Sequence, residues 1–576
     1  MTTAQATSRR GRWAKRWSER DRRERGIAIV WLAITLLLMV LFAGFAVDMS
    51  NWYLRAERIQ RAADSGALAG AAFMPGNLSG ATTEARSVVT KNGYPLGGVR
   101  NTTVAVSQEA NPNQVRVKIT TDVPTFFLGL IGMDKLRMTR EAVGEYVAPV
   151  PMGSPQNKLG NDPDGTDPGT QMWVNISGPS TAKEQGDRYQ SRTCGSGVYG
   201  CSGSTNTEYA EQGYFYSLNV TSKGSGDLIF QVFDAPWVNV GTTCGTNMPS
   251  AAQRTNLVPK YGADATTRYN GATVKYCSGD MHPGTNPVNT TFRFLLPDNT
   301  PWNNTDNLPV PGCPPVTVDG FNPGNANAIY DRLMHATTGR LDPNDGVVSF
   351  GESFRRWATM CTVSNSNVVV GKYIVQVRTN VTAASPTTYN SSITTSGHNH
   401  MSFRTGFGTT GLNSVDGPIV TVNALGRLPI YANASGADTR FFMARVLPAD
   451  KGRTLRINLF DMGEGSQPGT LQILPPADYT LMTGKTAFSG CSISRDNGGS
   501  LSVSPSTCTL SNVSSSSFNG RLLTIDVPIP ADYTCNPAVV TGCWIKIKAA
   551  YPVGASVTDA TTWSAAILGN PIRIVE

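Results

Sequence analysis

IAIVWLAITLLLMVLFAGFAV, residues 27–47, is an uninterrupted apolar run, and its reading decides the architecture of this 576-residue chain. At helical rise its 21 residues extend roughly 31 Å, enough to cross the hydrocarbon core of a bilayer. A soluble helix of that length would carry a polar face, and this run carries no charge. Residues 1–26 hold nine Arg/Lys against three Asp/Glu, an excess that predicts a cytoplasmic N-terminus. The expectation is a single-pass cell-membrane protein with its bulk extracytoplasmic.

The net charge of +8 arises almost entirely in that basic tail, which leaves 40 basic against 38 acidic residues elsewhere. A near-neutral remainder offers no footprint for phosphate backbones, so nucleic acid is excluded as a partner. All ten cysteines (Cys194, Cys201, Cys244, Cys277, Cys313, Cys361, Cys491, Cys508, Cys535, Cys543) lie beyond the apolar run. An even number confined to the exported part reads as a disulfide set. Spacing leaves the pairing open, with neighbour pairs such as Cys194–Cys201 or Cys535–Cys543 among the options. No CxxC pair signals structural zinc.

The helical pattern continues past the run. Residues 48–73, DMSNWYLRAERIQRAADSGALAGAAF, contain no Pro, and Trp52 and Tyr53 stand where an interfacial aromatic belt is expected. Ala62, Ala63, Gly66, Ala67, Gly70 and Ala71 then recur at spacings of three and four, a small-residue face that admits close helix packing, expected here against other membrane-associated helices. One long helix, half in the membrane and half outside, is the simplest reading. A short amphipathic helix at 82–93 and alternating segments at 103–110 and 114–123 follow. Together they predict a long helix on a small antiparallel sheet, an architecture like that of pilins.

Residues 148–171 read as a Pro/Gly/Asp linker. Beyond them alternating strands dominate, with 326–335 the one amphipathic helix expected. GYFYSLNVTSKGSGDLIFQVFDAP (213–236) matches RFFMARVLPADKGRTLRINLFDMG (440–463), and GKYIVQVR (371–378) resembles GCWIKIKA (542–549). Two matches in one order predict duplicated domains. The predicted fold is therefore α+β and membrane-anchored: tail 1–26, transmembrane helix 27–47, helix extension with a small α+β module 48–147, linker 148–171, a first β-sandwich with long loops 172–411, and a second 412–576.

No catalytic, cofactor or metal site is expected. Of His282, His335, His398 and His400, the last two fall on one strand face, but no third ligand accompanies them and all four read as exposed loop residues. The stretches 159–169 and 342–352 are rich in Asp and Gly without the EF-hand ligand order, and read as turns. Asp48-Met49-Ser50 begins an adhesion-type metal motif, but Trp52 occupies the second serine position. Asp234 and Asp461 recur after Phe and are expected to end strands and cap the following turns. Trp173, Trp237 and Trp302 offer a carbohydrate platform, although scattered tryptophans more often pack in cores. No GxSxG, HExxH or Walker pattern occurs, so an enzyme is not expected.

Arg25-Gly26, the apolar run, Ala46-Val47-Asp48, Tyr53-Leu54 and residues 60–71 (QRAADSGALAGA) resemble the N-terminal region of TadE/TadG-like Flp (tight adherence) pilus-assembly proteins, and residues 124–147 resemble the end of that module. The resemblance implies a membrane-anchored, pseudopilin-like component with the bilayer and other pilus-assembly or pilin-like subunits as partners, and no catalytic residues. Cleaved pilins carry Glu five places after the cleavage-site Gly; here Trp31 stands five places after Gly26, which implies a retained anchor. The alternative is a surface adhesin or carbohydrate-binding protein, with a surface glycan as its ligand, that uses a pilin-like anchor.

Overall fold

The computed structural model describes the chain apart from residues 1–7, 75–76, 112, 148, 166–170, 242–244, 246, 281–285, 299, 301–302, 338, 343–345, 414–418, 436–437, 570–571 and 576. It divides into two compact units, residues 1–147 with 570–576, and residues 148–569.

In the smaller unit α1 (Ser8–Ala71) is continuous for 64 residues, as expected for a sequence without Pro. Its segment Ile27–Ala71 is the one helix among the described residues long and apolar enough to cross a membrane. After it, α2 (Leu78–Lys91) starts at Asn77, whose side chain accepts from Gly80 N–H, and carries Lys91 in its last turn, suiting the helix dipole at both ends. Strands β1 (Thr103–Gln108), β2 (Gln114–Pro124) and β3 (Lys135–Tyr146) form an antiparallel sheet. Val115, Val117 and Ile119 alternate inward from β2; Val117 and Ile119 pack with Ile59, Ala63, Ala67, Ala85 and Val89 of the helices, and Val115 with Ala71 and Ala81. The fourth strand was not foreseen. Ile572–Ile574 returns to pair with β3, Ile572 opposite Tyr146. The larger unit is thus an insertion between two neighbouring strands of the smaller one.

The larger unit is built on two long sheets. One runs in the order Trp357–Val363, Leu228–Phe233, His398–Phe407, Gln171–Ser177, Arg427–Ser435, Ser556–Ile567, Thr454–Phe460, Leu522–Pro528, Ser492–Arg495. The other runs Val316–Val318, Thr290–Leu295, Gly371–Arg378, Tyr214–Val220, Val420–Leu425, Pro151–Gly153, Thr439–Arg445, Trp544–Ala550, Gly469–Leu474, Thr509–Val513, Ser502–Ser504. Set aside the short hairpin at 201–206 and the extra strands at 492–504. Eight strands between 171 and 407, and eight between 427 and 567, then occupy equivalent places. In each set the strands order as 6-3-8-1 in one sheet and 5-4-7-2 in the other, which is the jelly-roll arrangement, present twice. Both matched segment pairs of the sequence fall on equivalent strands.

The copies do not separate at 411/412 as expected. Their first strands pair directly, Trp173 opposite Tyr431, while Val420–Leu425 pairs with Tyr214–Val220 of the first copy. Each sheet is therefore continuous across both copies, and the second begins near Arg427. Nor is 148–171 only a linker: Pro151–Gly153 and Lys158–Leu159 are strands, with Met152 and Leu159 fully buried. Short apolar pairs inside a Pro/Gly-rich stretch left too little alternation to signal a strand. The long loops of the first copy hold helices, Ala326–His335 as expected and also Ala251–Tyr261. The latter begins with a reciprocal Ser250–Gln253 capping box, but its interior Pro259 masked it in the sequence.

Candidate functional site

A buried carboxylate joins helix to turn where α1 leaves its apolar run. Asp48 is fully buried, and its carboxylate accepts three backbone N–H groups from a turn about eighty residues later: Phe126 (2.6 Å), Phe127 (3.0 Å) and Leu128 (2.8 Å). Three donors converging on one carboxylate replace the water that an aspartate otherwise requires. Asn51 adds a hydrogen bond from Nδ2 to Pro124 O (3.2 Å). One helical turn earlier Phe127 lies on Gly44, where a Cβ would stand 2.7 Å from the ring Cγ. The aspartate at the end of the run is therefore a lock between helix and turn. Sequence reasoning had weighed Asp48 as a metal ligand and as part of the family motif, but not as a lock, because nothing local shows that its partners are backbone groups eighty positions away.

The small-residue face lies inside the module. Ala62, Ala63, Ala67 and Ala71 are almost completely buried. Gly66 faces Val89 and Val117, and Gly70 faces Ala81, Ala85 and Val115. This corrects the expectation that the face awaits other helices: α2 and the sheet already fill it. Gln60 fixes the same region, donating from Nε2 to Asp64 Oδ1 (2.8 Å) and to Glu141 O of β3 (3.0 Å).

In the larger unit Asp234 and Asp461 hold equivalent corners. Both have left-handed backbone, φ 54° and 60°. Asp234 N–H donates to Arg356 O and its carboxylate accepts from Arg355 N–H; Asp461 N–H donates to Arg521 O and its carboxylate accepts from Gly520 N–H. Each ends a strand as expected, but it caps a distant segment rather than the turn that follows. Burial pushes the Asp234 carboxyl up to about 6, and raises its neighbour Asp280, which shares the Ser278 hydroxyl, well above the usual range. Burial likewise pushes Glu464 up to about 7, helped by the charge of Asp559.

His398 and His400 are buried strand residues, not exposed loop residues. His398 Nδ1 meets Ser177 Oγ (3.0 Å), His400 Nδ1 meets Ser278 O (2.7 Å), and the His400 ring stacks on Tyr431 with centroids 4.1 Å apart. Burial lowers the two imidazoles to about 4 and about 3. His335 ends its helix, and His282 lies outside the described residues. In the Asp/Gly stretches, Asp162 accepts from Lys158 Nζ (2.5 Å) and Trp357 Nε1 (3.1 Å), and Asp164 pairs with Arg268 (2.9 Å). Residues 166–169 and Asp345 lie outside the described set. Trp173 and Trp237 are core residues, and Trp302 is not described.

The disulfides are Cys194–Cys201, Cys313–Cys361, Cys491–Cys508 and Cys535–Cys543. Cys277 is also disulfide-bonded, while Cys244 lies outside the described residues. Asp478 approaches Cys535 and Cys543, but the bridge leaves neither sulfur as a thiolate for a metal.

Neither the curated proteins nor the solved structures include a match to this chain. The family model described as putative Flp pilus-assembly TadE/G-like matches residues 26–72, the segment holding the apolar run, Asp48, Gln60 and the small-residue face, and the N-terminal region of this chain is accordingly TadE/G-like.

Proposed function

We propose that this protein is a membrane-anchored, TadG-like component of Flp-type pilus assembly that holds tandem jelly rolls on the extracytoplasmic side, for contact with other pilus-assembly or pilin-like subunits. The carrying observation is that the family match covers residues 26–72, the part of the helix that holds the apolar run, Asp48 and the small-residue face. Trp31, in the place where cleaved pilins keep Glu, supports a retained anchor rather than a fibre subunit. The basic tail favours a cytoplasmic N-terminus, and the disulfides suit an oxidising compartment.

Shearing surface fibres from cells and measuring the intact mass of this chain in fibre and membrane fractions tests the reading. A full-length chain confined to membranes is expected. A chain shortened after Gly26 and recovered in fibres would make it a minor pilin instead.

A further inference from the structure

The turn that Asp48 locks is apolar and outward-facing. Phe126, Leu130 and Ile131 are 60%, 84% and 68% exposed, and Met133 and Phe127 are nearly half exposed. A water-facing loop of this kind would normally be polar and would leave backbone groups to solvent. Here most of the N–H groups are satisfied internally. Asp48 takes the N–H groups of Phe126, Phe127 and Leu128, Leu130 N–H donates to Phe127 O, Gly132 N–H to Gly129 O, Met133 N–H to Leu128 O, and Thr125 N–H to Asp134 O. Exposed apolar side chains on a backbone whose N–H groups are largely paired suit a non-helical segment at the edge of hydrocarbon.

The position of the turn identifies the occupant. Phe127 rests on Gly44, inside the apolar run and one helical turn on the membrane side of Asp48. The exposed patch is thus continuous with the side of the run itself. Immediately after the turn, Lys135 and Arg137 pair with Asp122 while remaining 65% and 49% exposed, a cationic rim at headgroup height.

We propose that residues 126–133 insert into the outer face of the same bilayer that the apolar run crosses, giving the module a second membrane contact beside its helix. The inference rests on the membrane-anchor reading. A second contact beside the helix restrains the tilt of the module relative to the membrane plane, which one helix leaves free. Asp48 makes the insertion feasible by neutralising the backbone of the turn before it leaves water.

The test places an environment-sensitive fluorescent amino acid at Leu37, Leu130 or Lys118 of the full chain. Each labelled protein is reconstituted in phosphatidylcholine–phosphatidylglycerol vesicles whose acyl chains are brominated. Label at position 130 should show about half or more of the quenching seen at position 37, and label at the exposed Lys118 on the sheet should show none. Quenching at 37 with position 130 behaving like 118 would overturn the insertion while leaving the anchor intact. Absence of quenching at 37 would overturn both.

Discussion

Arg573 donates from Nε and Nη2 to one carboxylate oxygen of Glu145, at 2.9 and 2.8 Å. Glu145 is 1% exposed, and Asn111 and Gln114 bind its other oxygen. Two residues separated by more than 400 positions therefore close the small sheet.

From this pair, Arg573→Ala should leave a buried carboxylate under-compensated and destabilise the smaller unit by about 2–3 kcal/mol. The exposed pair Lys118–Glu141, 3.7 Å apart, provides the contrast, since Lys118→Ala should cost about 1 kcal/mol or less. Thermal unfolding in detergent, followed by proteolysis within residues 77–147, checks both. Equal effects would show that the Glu145 pair is no more than a surface contact.

Gly144 on β3 admits α1 to the sheet. A Cβ there would stand 2.2 Å from Ala67 O, a backbone atom. Gly144→Ala should therefore push helix and sheet apart at a cost of about 2 kcal/mol or more. Gly129→Ala, whose nearest neighbour would be 3.6 Å away, should be nearly neutral. Hydrogen exchange across 60–71 is the readout, and protection unchanged by Gly144→Ala would refute the close approach.

Cys313–Cys361 closes a span of 48 residues and Cys535–Cys543 one of 8. Loop-closure entropy assigns them about 4 and about 2.5 kcal/mol. Replacing the first pair by serines should lower the melting temperature of the larger unit more than replacing the second. The reverse order would mean that native packing rather than chain entropy sets their contributions.

Glu464 binds its proton more tightly in the folded chain, with its pKa pushed up to about 7 against about 4.3 for a free glutamate. Its contribution to stability is fully present below about pH 4 and is lost as pH rises through about 7, at up to roughly 1.4 kcal/mol per pH unit. Glu464→Gln keeps an acceptor for Ala560 N–H (3.2 Å) and cannot ionise. Its melting temperature should match the parent near pH 4 and exceed it at pH 8. A constant gap across that range would assign the effect to packing.

Elements whose cause is local could be read from the sequence. The long helix followed from unbroken apolarity and the absence of Pro, the strands of 103–110 and 114–123 from their alternation, and the repeat from Phe233-Asp234 over Phe460-Asp461. What escaped was set by partners far along the chain. Asp48 meets backbone groups, which leave no residue signature, and Ile572–Ile574 is too short to announce its pairing with β3. The shared sheets depend on Trp173 meeting Tyr431 across the two copies, a pairing that periodicity within either copy cannot reveal. His398 and His400 were expected in exposed loops because no third ligand accompanied them, whereas they are buried on a strand, each with its own acceptor or stack.

The insertion of residues 148–569 between adjacent strands of the anchor module bears on shedding. A protein strung in series from its anchor is released by one peptide-bond cleavage in the connecting segment. Here the attachment is doubled: a cut after β3 leaves the jelly rolls held through the Ile572–Ile574 strand and the Arg573–Glu145 pair, and a cut before that strand leaves them covalently joined through β3. A single cut in either connecting segment is thus insufficient for release, and the larger unit stays on the smaller one until a second cut, or unzipping of one three-residue strand, completes the separation.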